Sequence, residues 1–233
     1  MKFLCTQLVL VTAFLFSASA SMAHALWIET AHQAEAGIPH KVEVFYGEFA
    51  SGEIDSLDNY YSDVAQFELW LHLPDGKKVQ LETRPGAISL QSEFLPEQNG
   101  TYALTISHPA KDLAGEYRYH FLSVAYINVG EPSTLPELQS PLFLRHTPGQ
   151  HQVGDEVDVT VIAEGKPLAD APVLLMSESG WSKTFTSDSN GNVTLPLPWK
   201  GNYVLEASRT ISAAEGQAYN KEWQGATVAL TAN

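Results

Sequence analysis

The stretch HKVEVFYGEF, from His40 to Phe49, alternates apolar and polar residues, and this alternation decides the fold class. A period of two places every second side chain on one face of a β-strand. The same period continues in AQFELWLHL (65–73), GTYALTIS (100–107) and YRYHFLSVAYINVG (117–130). No stretch keeps a 3.6-residue apolar repeat over three helical turns, so the pattern predicts a first half built of strands.

The second half has the same character. Alternating segments lie at 155–177, 181–198, 201–210 and 225–232, and Gly, Pro, Asp and Asn residues separate them. Between the halves, GEPSTLPELQSP (130–141) contains three prolines and little alternation, so it is predicted to be a linker or crossover. Short strands at this spacing predict an all-β protein of two β-sandwich domains, one at 24–138 and the other at 139–233.

The first residues are typical of a secretory signal peptide. Lys2 forms a short basic region, an apolar run extends from about Leu8 to Phe16, and small residues follow. Cleavage is compatible with Ala20, Ala23 or Ala25, and cleavage after Ala23 is favoured. A cut after Ser21 would instead leave histidine as the third residue. The prediction is a signal peptide at 1–23 and an exported, periplasmic protein without a membrane span, because the apolar run is much shorter than about 20 residues.

Composition narrows the classes of partner. The chain has 27 acidic and 13 basic side chains and a formal charge of -14, which becomes -15 when Lys2 is removed. Such an acidic surface argues against binding nucleic acid or an anionic membrane and mildly favours the attraction of cations. The one cysteine, Cys5, lies in the predicted signal peptide, so the remaining chain has neither a disulfide nor a thiolate ligand.

Several segments together resemble a known family. They are HALWIE (24–29), GIPHKVEVFYGEF (37–49), GKPLADAPV (165–173), TSDSNGNVTLPLP (186–198) and GNYVLEASR (201–209). They are similar to bacterial periplasmic proteins long catalogued as a domain of unknown function and often described as components of cobalt or nickel transport systems. The resemblance implies immunoglobulin-like β-domains and a mature chain that begins with histidine. Ala25 departs from the acidic residue that the family often has there.

An N-terminal histidine is a good metal ligand. If cleavage follows Ala23, the free amine and the Nδ1 of His24 can chelate one ion in a six-membered ring. Imidazole and amine suit nickel, cobalt, copper and zinc. Together with the resemblance, this favours nickel or cobalt as the cofactor and leaves copper or zinc as alternatives.

Further ligands would have to come from the other histidines. His120 is the first choice because it lies within a long predicted strand among aromatic residues. His72 and His108 are also candidates, since each lies near the end of a predicted strand. For each of these three, an ordinary surface or hydrogen-bonded histidine is the favoured interpretation. His32 and His40 are near His24 along the chain, but nothing in their spacing is specific to metal binding.

Three further features lie near this candidate site. Trp27 is predicted to pack into the first sandwich and anchor the N-terminal strand. Glu29 could orient a ligating imidazole. The stretch GEFASGEIDSLDNYYSD (47–63) contains many acids and two tyrosines and is predicted to be a long loop. Long loops in compact domains often cover a ligand site or bind a partner, but a solvated loop is the favoured interpretation here.

The function favoured is binding of a divalent metal in the periplasm, accessory to uptake, with a membrane metal transporter or outer-membrane receptor as a partner. One alternative is a metal-independent envelope adaptor or ligand-binding module. Another is a copper oxidase with a terminal histidine brace, which needs a second histidine and usually has disulfides. No nucleophile elbow, phosphate loop or paired-carboxylate motif indicates other catalysis, so the protein is predicted not to be an enzyme.

Overall fold

The structure is a computed structural model that describes residues 24–233, so the predicted signal peptide at 1–23 lies outside the described residues. Three short 3-10 helices occur at Phe49–Ser51, Leu57–Asn59 and Val64–Gln66. The strands are β1 (Ala25–Glu29), β2 (Gln33–Ala34), β3 (His40–Glu48), β4 (Glu53–Ile54), β5 (Leu69–His72), β6 (Lys78–Leu81), β7 (Arg84–Pro85), β8 (Leu90–Phe94), β9 (Gly100–Ala114), β10 (Tyr117–Val129), β11 (Leu142–Arg145), β12 (Glu156–Ala163), β13 (Lys166–Pro167), β14 (Pro172–Ser177), β15 (Ser182–Thr186), β16 (Asn192–Pro196), β17 (Gly201–Ser212) and β18 (Lys221–Ala232). The predicted all-β sandwich class is confirmed.

Each half has the strand order of an immunoglobulin-like sandwich. In the first half, a sheet β1-β3-β8-β7 faces the strands β10-β9-β5-β6. In the second half, β12 pairs with β11 and β16, and these strands face β15-β14-β17-β18. The segment 130–141, predicted to be a linker or crossover, contains no strand.

The two halves share one continuous sheet. Strand β10 pairs in parallel with β18, from Tyr117 opposite Lys221 to Ser123 opposite Thr227. This contact explains why β9 and β18 are longer than the alternation of apolar and polar residues predicts. The β9–β10 hairpin continues to Ala114 beyond the first core, and its outer part lies beside the start of β18. A shift of register between Arg118 and His120 marks a bulge in this extension.

Both halves contain a tyrosine corner, a tyrosine whose hydroxyl bonds to backbone just upstream. The Tyr102 hydroxyl donates to the carbonyl of Gln98 at 3.0 Å and accepts its amide hydrogen at 3.3 Å. The Tyr203 hydroxyl makes the same two bonds with Trp199, at 2.7 and 2.8 Å. The two corners begin equivalent strands, β9 and β17.

A third apolar cluster joins the halves, in addition to the core of each sandwich. Leu26 and Ile28 point into the first core, so the intervening Trp27 points away from it. Trp27 is fully buried, with its ring 5.7 Å from that of Phe45. Its cluster includes Met176 and Val204 from the second half. Trp27 therefore anchors β1 as predicted, but it does so between the halves and not inside the first sandwich.

Candidate metal site at His24

His24 directly precedes β1 and lies between two carboxylates. Its Nδ1 is 3.7 Å from Oε1 of Glu48, and its Nε2 is 3.4 Å from Oδ2 of Asp55. The imidazole is 41% exposed, whereas the two carboxylate side chains are mostly covered. The Tyr46 ring lies beneath the imidazole, with 5.3 Å between ring centroids.

Strand pairing builds this arrangement. Ala25 pairs with Gly47, which places His24 beside Glu48 at the end of β3. Strand β4 then turns back along β3, and the Asp55 amide donates to the Tyr46 carbonyl at 2.9 Å. Gly47 is required at this turn because an added Cβ would lie 2.2 Å from the carbonyl oxygen of Glu53.

Glu48 and Asp55 were missed as candidate ligands, although both belong to the acidic stretch 47–63. Their positions depend on the pairing of β1, β3 and β4, which brings together residues more than 20 positions apart. The excess of acids was the available signal, but it could not indicate which of them would face His24.

His120 is buried, and both of its ring nitrogens have partners. Its Nε2 lies 2.9 Å from the Ser107 hydroxyl and its Nδ1 lies 3.0 Å from Glu222. Burial lowers the pKa of His120, and the neighbouring Glu222 opposes that shift. For Glu222, burial alone would raise the pKa, but hydrogen bonds from Gln224, Arg118 and His120 lower it to about 2.

His72 and His108 likewise have other partners. The Nε2 of His72 is 2.9 Å from the Thr105 hydroxyl, and the Nε2 of His108 is 3.0 Å from Asp63. Within residues 24–233, no hydrogen bond or ion pair joins His24 to His72, His108 or His120. Their assignment as metal ligands stays a prediction.

Glu29, a candidate for orienting a ligating imidazole, is bonded to Trp27 instead. The Glu29 carboxylate accepts a hydrogen bond from the Trp27 indole at 2.8 Å, at the end of β1 remote from His24.

In the described part of the chain, no group of three or more His, Cys, Asp or Glu side chains has an arrangement that could hold a metal ion. Any ion at His24 therefore needs a donor besides these side chains, such as a terminal amine.

In the same described part, no helix is long and apolar enough to span a membrane.

The imidazole and Glu48 present nitrogen and oxygen donors on one side of the ring, while Asp55 lies at the opposite nitrogen. A carboxylate at that second position would accept the Nε2 hydrogen and leave Nδ1 free to bind an ion. The described side chains around His24 thus supply one nitrogen donor and one nearby oxygen donor, which are fewer than the three or more ligands of a complete metal site.

Similarity to solved structures is weak. A DUF4785 family protein from Legionella pneumophila is 11% identical, with a TM-score of 0.33, over 77% of this chain and 51% of that one. Trypsin-activated alpha-2-macroglobulin from Escherichia coli is 12% identical, with a TM-score of 0.31, over 88% of this chain and 16% of that one. This chain therefore matches only about half the length of the first protein and less of the second.

No protein of curated function matches the chain. A family model described as a domain of unknown function, DUF4198, matches residues 21–211, which is most of the chain. That range includes His24, both carboxylates beside it and the strands that position them. The chain belongs to the DUF4198 family.

Proposed function

We propose that this protein is exported to the periplasm, begins with His24 after cleavage, and binds a divalent transition metal there as an accessory to metal uptake. The observation that supports the proposal is the position of the His24 imidazole between Glu48 and Asp55. Cleavage after Ala23 would add a free amine on the same residue as the imidazole.

Each residue has a distinct role in the proposed site. The amine and Nδ1 of His24 chelate the ion, and Glu48, whose carboxylate lies nearest to Nδ1, supplies an oxygen. Asp55 accepts the Nε2 hydrogen and fixes the tautomer and the orientation of the ring. Donors of this kind suit nickel and cobalt, with copper and zinc as competitors. The excess of acidic side chains raises the local concentration of cations.

The resemblance to components of cobalt or nickel transport systems suggests the partner. A half-exposed imidazole at a chain terminus leaves the ion accessible for transfer. We therefore propose a membrane metal transporter or an outer-membrane receptor as the protein to which the ion passes. A metal-independent adaptor remains the alternative, and a terminal copper brace is less well supported because the side chains facing His24 are carboxylates and tyrosine.

Calorimetric titration with nickel and cobalt tests the proposal, with intact-mass measurement used first to establish that the exported chain begins with His24. His24→Ala should abolish binding at this site, and Glu48→Gln should weaken it at least about 10-fold, because even the loss of an outer-shell partner of a metal ligand costs about 10- to 100-fold in affinity. Glu53→Gln is the matched control, because it removes the same charge from the strand residue that pairs with Glu48. Equal affinities for Glu48→Gln and Glu53→Gln would contradict the role of Glu48.

A further inference from the structure

A serine, a histidine and a glutamate from three adjacent strands form a hydrogen-bonded chain where the two halves meet. Ser107 lies on β9, His120 on β10 and Glu222 on β18. The Ser107 Oγ is 2.9 Å from Nε2 of His120, and Nδ1 of the same ring is 3.0 Å from Oε1 of Glu222. This is the order of contacts in a Ser-His-acid triad. Triads occur on unrelated folds and are recognised by geometry, so the lack of a nucleophile-elbow motif does not exclude one.

The chemistry of the partners fixes the direction of both hydrogen bonds. An ionised carboxylate can only accept, so Nδ1 of His120 carries the hydrogen that Glu222 accepts. Nε2 of the neutral ring is then an acceptor, and the Ser107 hydroxyl donates to it. His120 is thus placed to take the hydroxyl proton, while Glu222 orients the ring and stabilises the imidazolium that forms.

Strand pairing places the three side chains on one face of the sheet. Ser107 pairs with Leu122, and His120 lies two residues before Leu122 on the same face. Ser107 and His120 are therefore diagonal neighbours, about 7 to 8 Å apart along the backbone, which their side chains can span. On the other side of β10, Glu222 pairs with Arg118. The bulge between Arg118 and His120 lies at this point, and bulges beside active sites re-aim side chains.

Glu222 is a buried carboxylate with a fixed position. Its side chain is 8% exposed, and the Gln224 amide donates to its Oε1 at 2.8 Å. The Nε of Arg118 donates to its Oε2 at 3.0 Å. These bonds orient the carboxylate toward His120, which is also buried. A third group that orients the base distinguishes a triad from a simple contact between serine and histidine.

Ser107, in contrast, is exposed and lines a groove. The groove has a volume of about 610 Å³ and lies between strands β5 and β9 and the segment 136–140. Trp70 and Leu73 contribute apolar surface to its lining. A nucleophile that faces a partly apolar groove, with its base buried behind it, is accessible to a small organic substrate.

The charged residues of the groove indicate which substrates fit. Lys78 lines it, with its Nζ 4.1 Å from the centroid of the Trp70 ring. Its positive charge favours the negative charge that develops on a carbonyl oxygen during attack. Glu68 and Glu137 line the same groove, so an uncharged substrate is favoured over an anion.

We propose that Ser107, His120 and Glu222 form a catalytic triad that hydrolyses uncharged carboxylic esters in this groove. The Ser107 Oγ bonds to the ester carbonyl carbon as its proton passes to Nε2 of His120. The bond from that carbon to the alcohol oxygen then breaks, and His120 gives the proton to the leaving alcohol. Water, deprotonated by His120, attacks the acyl-serine, releases the carboxylic acid and restores the Ser107 hydroxyl. In this role His120 is not a metal ligand.

A second pair of hydroxyl and imidazole in the same groove provides a matched control. The Thr105 hydroxyl is 2.9 Å from Nε2 of His72, and both residues line the groove. Within residues 24–233, His72 has no hydrogen bond to a carboxylate. Thr105 should therefore behave as an unactivated hydroxyl, and Thr105→Val should leave the proposed activity unchanged.

Labelling with a fluorophosphonate tests the nucleophile, because such a reagent modifies activated serine hydroxyls. The chain that begins at residue 24 is labelled in the presence of a metal chelator, so that the result does not depend on the metal binding proposed above. Peptide mass spectrometry should place the adduct on Ser107, with no adduct in Ser107→Ala and an unchanged adduct in Thr105→Val. Absence of labelling, or an adduct only at other residues, would overturn the proposal.

Hydrolysis of p-nitrophenyl butyrate, again with chelator, tests the other two residues. Ser107→Ala and His120→Gln should each lower kcat at least about 100-fold, the range of general acid–base catalysis. Glu222→Gln should lower kcat at least about 10-fold with little change in KM, because Glu222 positions the base and does not contact the ester. Ser107 is exposed, so Ser107→Ala should fold normally, and hydrolysis equal to that of wild type in this variant would overturn the proposal.

Discussion

The two halves have the same strand order and the same tyrosine corner, yet they differ where strand β3 or β12 crosses to the facing sheet. In the second half, only residues 164–171 separate β12 from β14. In the first half, residues 49–68 separate β3 from β5 and contain β4, three 3-10 helices and Asp55. The sandwich strands β1 and β3 therefore position His24 and Glu48, and the longer segment of the first half adds Asp55 to the candidate site.

The largest effect expected from breaking the connection between the halves comes from Trp27→Ala. Trp27 is fully buried in the cluster that joins them, and truncation of a buried tryptophan costs about 3 to 5 kcal/mol. Trp199, on the surface of the second half, is 43% exposed, so Trp199→Ala should cost much less. Denaturant unfolding measures both values, and similar losses would show that Trp27 does not hold the halves together.

A slightly smaller effect is expected at Glu206, in β17 opposite Leu174 and Thr227. Burial raises the pKa of its carboxyl from 4.5 to about 7. As the pH rises from about 4.5 to 7, the unfolded chain loses this proton before the folded chain does, so the free energy of unfolding falls by about 3 kcal/mol. Glu206→Gln should remove this fall.

Denaturant unfolding of wild type and Glu206→Gln across pH 4 to 8 measures how much Glu206 lowers the free energy of unfolding as the pH rises. The difference between the two proteins isolates it, because Glu222 and the other titrating groups are common to both. The free energy of unfolding of the variant, minus that of wild type, should therefore be larger at pH 8 than at pH 4. A difference that does not change with pH would contradict the buried, shifted carboxyl.

The two tyrosine corners allow the halves to be compared with matched variants. Tyr102→Phe and Tyr203→Phe each remove one hydroxyl and leave the ring in its core. Each should lower the free energy of unfolding by about 1 to 2 kcal/mol, because a backbone amide and carbonyl lose their partner. Thermal unfolding compares them, and a much larger loss in one half would show that the corners are not equivalent.

Sequence reasoning predicted the all-β class because alternation is a local property, clear in β3 and β10. It underestimated β9 and β18 because their outer residues leave the cores and lose the apolar face that makes a strand recognisable. Trp27 was assigned to the wrong core for a related reason. Leu26, Trp27 and Ile28 are all apolar, and only the presence of a second half shows why both faces of β1 are buried.

The candidate site was only partly predictable. His24 is a candidate from the sequence because a histidine at a chain terminus would have distinctive chemistry that does not depend on the fold. Glu48 and Asp55 could not be selected from the acids of their segment, because β-pairing determines which side chains meet.

The central claim is that a free amine and an imidazole on His24 bind one ion together, and a paired titration tests it most directly. Nickel binding would be compared between the protein that begins at His24 and the same protein with one additional residue before it. The additional residue keeps the imidazole, Glu48 and Asp55 but moves the amine. Binding at this site should be at least about 10-fold weaker in the extended protein, and equal affinity in the two proteins would contradict chelation by the amine and imidazole of His24.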